Sequence, residues 1–227
     1  MWMDNWVLNT PASLWPAQEG YPFLFRFFEA KRRVVVLANS NRADQEAYQE
    51  VCAEADIPIL RRKGGGGTVL LGPGCLIFTM AFYARDLFGN KEYFQNINEL
   101  WIKAMESQGI GGVSQNGLSD LCIGAKKIAG TSLFRRKHLL VYQGSLLVES
   151  DLDAMSRYLP HPSREPDYRK KRSHKDFLIC LHELGYKQSA RQLAAGCVQF
   201  VSENLAPFLK HNALCRTQLF EVAPNLR

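Results

Sequence analysis

The chain has 227 residues, 46% hydrophobic and 22% charged, with a formal net charge of +6. That balance describes an ordinary globular protein with a sizeable core and excludes a disordered or fibrous chain. The charge permits an acidic partner, a nucleotide or a nucleic acid without choosing among them. No apolar run approaches the roughly 20 residues of a membrane span, and residues 1–15 lack the apolar core of a signal peptide. The six cysteines, at 52, 75, 122, 180, 197 and 215, contain no C-x-x-C pair. They read as buried free thiols in a reducing cytoplasm rather than as zinc ligands.

In chain order, residues 1–20 carry Trp2, Trp6 and Trp15 with no periodic pattern, an irregular packed lead-in. Phe23, Phe25 and Phe27 alternate as in a strand, and residues 33–38 (RVVVLA) form a second one after a turn at 29–32. Asp44 is placed to cap a helix reaching Ala55, with Ala47, Val51 and Ala55 on its inner face. Residues 57–60 lead into a glycine loop, and the β-rich segment 76–84 is expected to pair with the strand before it. Phe94, Ile97, Trp101 and Met105 repeat at helical spacing over 92–108, with Gly109 closing the helix. Residues 109–118 read as a glycine-rich connection. Strands follow at 120–123, 127–134 and 139–148, joined by a Gly124–Ala125 turn and a basic turn at 135–138. A Pro-rich basic loop occupies 159–173. Ser173 caps a helix over 174–184 with Phe177, Leu181 and Leu184 inward, and Ser189 caps another to about 205 with Leu193, Phe200 and Val201 inward. Several strands are joined by short turns, so the expected architecture is α+β, a mixed and mostly antiparallel sheet with packed helices.

Two stretches carry chemistry. The first is 61–79, RRKGGGGTVLLGPGCLIFT. Four glycines give up backbone entropy and contribute no packing, which suits a place where backbone must lie against something. Without Cβ atoms several N–H groups can converge on one anion, with Arg61, Arg62 and Lys63 supplying charge. A flexible surface loop is the alternative. No Lys-Ser or Lys-Thr follows, and the next residues read as strand rather than helix, so neither common phosphate-loop fingerprint is met. The second stretch is 119–147, SDLCIGAKKIAGTSLFRRKHLLVYQGSLL. Strand alternation places Lys127, Ala129 and Thr131 on one face. An inward lysine among small residues is costly unless a charge meets it; a lysine at a sheet edge, reaching water, is the other reading.

Together RRKGGGGTV, DLCIGAKKIAG and QGSLL resemble the RRxSGGGAV, N-D, KxxG and HGxLL motifs of the lipoate–protein ligases, in the same order, over roughly residues 20–155. The resemblance implies the biotin/lipoate protein ligase catalytic fold, here as one domain over 1–227 with no separate C-terminal accessory domain. It implies an enzyme that activates lipoate or octanoate with ATP and Mg²⁺ as acyl-AMP. The acyl group then passes to a lysine of a lipoyl carrier domain or a glycine-cleavage H-like protein. By position, Lys127 would contact the acyl carbonyl and the α-phosphate. Arg62, Gly65, Gly66, Gly67 and Thr68 would line the acyl and phosphate pocket. Asp120 would order the nucleotide or its magnesium. Gly130, Thr131, Gln143 and Gly144 complete the motifs, and Lys126 lacks the correct offset to Gly130. The basic segments 135–138 and 164–172 would face an acidic carrier or the triphosphate.

The chain departs from that pattern at Gly64, Thr68, Ser119 and Gln143. Its length leaves room for about two helices after 155, which implies an accessory subunit or preformed acyl-AMP. An ATP-independent octanoyl or lipoyl transferase is the alternative, and Gly72-Pro73-Gly74 resembles the HGPGQ segment of that group. Such transferases need a cysteine nucleophile, however; the loop 109–120 has none, and Cys122 falls within a strand. A non-catalytic lipoate- or adenylate-binding protein is the third reading. The GRGRxGR loop of biotin ligases is missing, and the basic clusters lack the interleaved aromatics of a nucleic-acid surface.

Overall fold

The structure, a computed structural model, describes residues 7–9, 15, 17–18 and 21–212. Most of the expectations for 1–20, the tail and Cys215 lie outside the described residues. The strands are β1 (Ala17–Gln18), β2 (Tyr21–Glu29), β3 (Val34–Leu37), β4 (Ile59–Arg61), β5 (Val69–Leu71), β6 (Cys75–Tyr83), β7 (Val113–Asn116), β8 (Asp120–Ile123), β9 (Lys126–Arg136) and β10 (Leu139–Leu147). The helices are α1 (Ala43–Glu46), α2 (Gln49–Glu54), α3 (Asn90–Ser107), α4 (Leu152–Tyr158), α5 (His174–Phe177) and α6 (Ala190–Asn212).

Seven strands form one antiparallel sheet in the order β1-β2-β6-β10-β9-β8-β7, and β4-β3-β5 form a smaller mixed one. This is the expected α+β architecture. Even-numbered positions of β10 face α3 and α6, where Leu140, Tyr142 and Leu146 join Ile97, Trp101 and Leu193 in the main core. Burying each such side chain contributes about 1.5–3 kcal/mol. On the odd-numbered face, Leu147 meets the smaller sheet, packing with Val35, Leu70 and Met155, while Leu139 and Val141 pack with Trp15 and Leu24. The aromatic stripe on α3 is core, as its spacing implies: Phe94, Ile97, Trp101 and Met105 are all buried. No helix among the described residues is long and apolar enough to cross a membrane.

Four expectations are corrected. Segment 76–84 does not pair with the strand before it: β6 lies between β2 and β10, while β5 pairs with β3. The turn at Gly72–Gly74 carries the chain from the small sheet to the large one. The helix expected over 44–55 is broken into α1 and α2, because the Tyr48 N–H is taken by the Tyr158 carbonyl at 3.0 Å. Ala55 is exposed, and Asp44 pairs with Arg42 instead of capping. Segment 109–118 is not all connection; 113–116 is the edge strand β7, bounded by positive φ at Gly112 and Gly117.

The helix expected over 174–184 stops at Phe177. Leu178 then forms a parallel bridge with Lys127, Ile179 N–H donates to the Lys127 carbonyl (3.0 Å), and Leu181 N–H donates to the Leu147 carbonyl (2.9 Å). Tertiary hydrogen bonds outcompete helix propensity here, and Leu184 is left exposed. Ser173 and Ser189 do cap their helices, each hydroxyl accepting from the N–H three residues on.

Candidate active site

A cavity of about 650 Å³ opens between the odd-numbered face of the large sheet, the glycine loop and the loop 160–173. Its walls include Arg62, Gly66, Gly67 and Thr68, then Asp120, Lys127, Gly130 and Thr131, then Gln143 and Gly144. Apart from Gly65, every residue singled out by motif therefore meets at one place. Leu70, Leu71, Ile77, Leu147 and Met155 give it an apolar wall.

Lys127 reaches this cavity because β9 is irregular. Leu121 of β8 stands opposite Ala129, but Cys122 stands opposite Lys127, so Ile128 is an extra residue. Such a bulge reverses the side-chain alternation that follows it. Ile128 and Ala129 both enter the core. Lys127 thus shares its face with Gly130, not with Ala129 and Thr131 as simple alternation predicted. A Cβ on Gly130 would lie 2.9 Å from Lys127 Nζ, so that glycine is the space the ammonium occupies. The Thr131 hydroxyl instead donates to the Ser119 carbonyl at 2.7 Å.

The charge that an inward lysine needs is Asp120. Its Oδ1 lies 2.7 Å from Lys127 Nζ, and its Oδ2 accepts from the Tyr168 hydroxyl at 2.7 Å. Burial, then the facing Asp120 carboxylate, push the Tyr168 hydroxyl well above its ordinary range, so it stays a donor. Tyr168 was not legible in the sequence, because it arrives from a loop 48 residues away in the chain. That loop is pinned from several sides. Arg172 donates to the Ala125 and Tyr168 carbonyls. Arg169 lies over the Phe177 ring, and the Ser163 hydroxyl donates to the buried Glu46 carboxylate. Replacing Tyr168 by phenylalanine removes one of two partners from a buried carboxylate. It is expected to cost about 1 kcal/mol of stability and to lower turnover about tenfold with substrate KM changed less than threefold, read by melting temperature and steady-state kinetics.

Both Asp120 oxygens are thus engaged, and among the described residues no group of three His, Cys, Asp or Glu side chains is placed to hold a metal ion. A magnesium ion carried by a nucleotide would find only the remaining lone pairs of Asp120, since each oxygen already has one partner.

The glycine loop differs from the simple anion cradle in one respect. Arg62 turns its guanidinium inward, donating to the Gly65 and Gly67 carbonyls at 2.7 Å each and to Val36 at 3.3 Å. It shapes the loop rather than offering its charge outward. Arg61 likewise donates to the Ala38, Asn39 and Asn41 carbonyls. Asn41 donates to the Thr68 hydroxyl at 3.1 Å, so the polar loop 39–41 and the glycine loop are tied together. Gly65 is exposed and does not line the cavity.

Gly144 contributes by what it lacks: a Cβ there would come within 2.2 Å of the Phe78 ring on the core face. The basic turn at 135–138 lies at the far end of β9, about eight residues or roughly 26 Å from Lys127, and Arg135 is spent on Asn90 and the Asp86 carbonyl. Only the second basic segment reaches the cavity, where Arg164 is exposed in its wall. Gly72-Pro73-Gly74 is not part of the wall.

None of the described cysteines lines the cavity. All five are buried. Burial pushes the Cys122 thiol up, and pushes Cys75, Cys180 and Cys197 up to about 12. Such thiols are inert as nucleophiles.

The cavity thus joins a glycine loop to a lysine held by a carboxylate in an α+β fold. Residues 4–199 match the family model of the lipoyl protein ligase A/B catalytic domain, and the chain belongs to that family. Lipoate–protein ligase 1 of Staphylococcus aureus is 30% identical over 158 residues, covering 69% of this chain and 44% of the relative. The lipoate–protein ligase of Streptococcus pyogenes is 30% identical over 131 residues, covering 58% and 38%. The chain thus spans less than half the length of these curated relatives. Among solved structures, a bipartite lipoate protein ligase from the lipoylation system of Thermoplasma acidophilum, described with its E2 lipoyl domain, superposes with a TM-score of 0.71 at 23% identity, over 84% of this chain and 74% of that one. A lipoate-protein ligase A bound with ATP gives 0.67 at 23% identity, over 84% and 75%. At these identities the superpositions show the fold.

Proposed function

We propose that this chain is the catalytic domain of a lipoate–protein ligase, joining a lipoyl or octanoyl carboxylate to a carrier lysine through acyl-AMP. The observation that carries the reading is Lys127, its ammonium fixed by Asp120 at 2.7 Å in a cavity walled by the glycine loop. The acyl chain lies against Leu71, Ile77 and Leu147. Backbone N–H groups of the loop at Gly66 and Gly67 meet the phosphate, and Arg164 meets it from the mouth. Magnesium enters with the nucleotide as part of the substrate. Lys127 donates to the acyl carbonyl oxygen, where negative charge grows as the carrier amine attacks. The new C–N bond forms as the amine gives up a proton to solvent, the bond from the acyl carbon to the phosphate oxygen breaks, and AMP leaves. Asp120 and Tyr168 hold the ammonium in place so that no reorganisation is needed at that moment.

The names of the relatives support this reading: several are lipoate–protein ligases, one of them subunit 1 of lipoate-protein ligase A from Thermoplasma acidophilum. Adenylate formation then rests either with this chain or with a further domain or subunit; the carrier is a lipoyl domain or an H-like protein, and the compartment a reducing cytoplasm consistent with unpaired thiols. The competing transferase reading lacks a thiol in the cavity wall among the described residues.

The test is intact-mass analysis of an apo lipoyl domain in three arms. One contains lipoate or octanoate with ATP and magnesium, one lipoyl-AMP, and one octanoyl-carrier protein without ATP. Mass gain in the first arm is the expected result for a self-sufficient ligase, and gain from lipoyl-AMP alone assigns activation elsewhere. Gain only from octanoyl-carrier makes the chain a transferase. No gain in any arm sinks the ligase reading.

A further inference from the structure

Gln143 is 6% exposed and lines the cavity, yet its Nε2 donor is buried with no hydrogen-bond partner among the described residues. A buried donor without a partner costs stability, and native proteins satisfy nearly all of them. One left open in the wall of a binding cavity is a donor waiting for a ligand atom. Its place along the cavity follows from strand register. Gly130, beside the Lys127 ammonium, pairs with Ser145, and Ser132 pairs with Gln143. Gln143 therefore stands two residues and one strand away from Gly130, roughly 8 Å at the usual spacings. Gly64 of the glycine loop lies over Ser132 at that level, since a Cβ on it would come within 2.9 Å of the Ser132 hydroxyl.

We infer that Gln143 is the specificity-determining residue for the remote end of the acyl chain, donating a hydrogen bond that selects a sulfur-bearing acyl group over a plain alkyl one. This rests on the ligase reading above. With the carboxylate at Lys127, a medium-length chain lying along the cavity face of β10 brings its far end to Gln143. A dithiolane sulfur accepts, as thioether sulfur does, weakly. A saturated alkyl end accepts nothing and leaves the amide unpaired. A site built to hydrogen-bond its ligand discriminates mainly by that penalty against the analogue that lacks the group.

The experiment measures kcat/KM for lipoate and for octanoate, from the free acids or from the corresponding acyl-AMPs if activation lies elsewhere, with calorimetric Kd values for both acids. The wild type is expected to favour lipoate about tenfold. Gln143→Leu is expected to bring the two substrates within about threefold, by lowering lipoate and raising octanoate. Gln143→Met, which keeps the side-chain length, is expected to do the same and covers the case in which the leucine variant fails to fold. Because each ratio is taken within one variant, general damage to the protein cancels. Equal wild-type Kd values for the two acids overturn the inference, and so does a ratio unchanged in both variants; in either case the ligase reading survives. Failure of the wild type to bind or transfer either acid overturns the ligase reading and the inference with it.

Discussion

Lys127→Ala is expected to lower acyl transfer to a lipoyl domain by about 10²–10³-fold, the usual effect of removing one donor aimed at a developing oxyanion. The same change strands Asp120, whose side chain is 11% exposed and would keep only the Tyr168 hydroxyl. Breaking a buried pair by removing one partner destabilises by several kcal/mol, but Lys127 is 22% exposed and water relieves part of this, so about 1–3 kcal/mol is expected. A loss of activity could then be blamed on a loss of fold. The double variant Lys127→Met/Asp120→Asn separates the two. It removes both charges together, so most of the melting temperature returns while transfer stays down. Double-mutant cycles couple the two residues in both readouts but with different outcomes: stability is largely restored in the double variant, whereas its kcat stays at the level of the Lys127 single variant, because Asp120 acts through the ammonium. Transfer by Lys127→Ala within tenfold of wild type would mean that the ammonium is a structural counter-charge to Asp120 and that the catalytic donor is elsewhere.

The parts legible in the sequence are those whose signal is local. The alternation at Phe23, Phe25 and Phe27, the helical spacing from Phe94 to Met105 and the turn at Gly124–Ala125 each state their element within a dozen residues. So do the glycine run and the small residues around Lys127, which together mark the site. What was not legible depends on partners distant in sequence. The bulge at Ile128 is a relation between β8 and β9, and it decides which face Lys127 occupies. Tyr168 completes the Asp120 pair from a loop whose composition reads only as basic surface. Arg62 beside four glycines suggests an outward charge, yet its nearest acceptors are the loop's own carbonyls. The helix expected over 174–184 has the right periodicity but loses its backbone hydrogen bonds to Lys127 and Leu147. In each case a tertiary contact overrode a correct local preference.

The glycines of 64–74 look alike in sequence, and substitution should split them into two kinds. Gly74→Ala is expected to destabilise by about 4 kcal/mol, since overpacking typically costs 1–3 kcal/mol and a left-handed residue with a Cβ about 1–2 more. Gly74 holds φ at +77°, and a Cβ there would meet the Glu149 carbonyl carbon and oxygen at 2.6 Å, backbone that cannot swing aside. Its own carbonyl accepts from Val148 N, Glu149 N and the Ser150 hydroxyl, and its N–H donates to Glu29 at 2.7 Å. Moving it therefore disturbs the turn that carries the chain from the small sheet to β6. For a domain of this size about 4 kcal/mol lowers the melting temperature by roughly 8–16 °C. Gly67→Ala is the counterpart. A Cβ at Gly67 meets nothing within 4 Å, and the residue lines the cavity. Alanine there restricts the unfolded chain, so stability should hold or rise by about 0.4–1 kcal/mol. The added methyl occupies space that the ligand needs, so KM for the acyl donor should rise about tenfold. Thermal melts and kinetics on the two variants read this directly. If Gly67→Ala melts early with normal KM, the glycine run serves the fold, and the cavity wall it forms is incidental to binding.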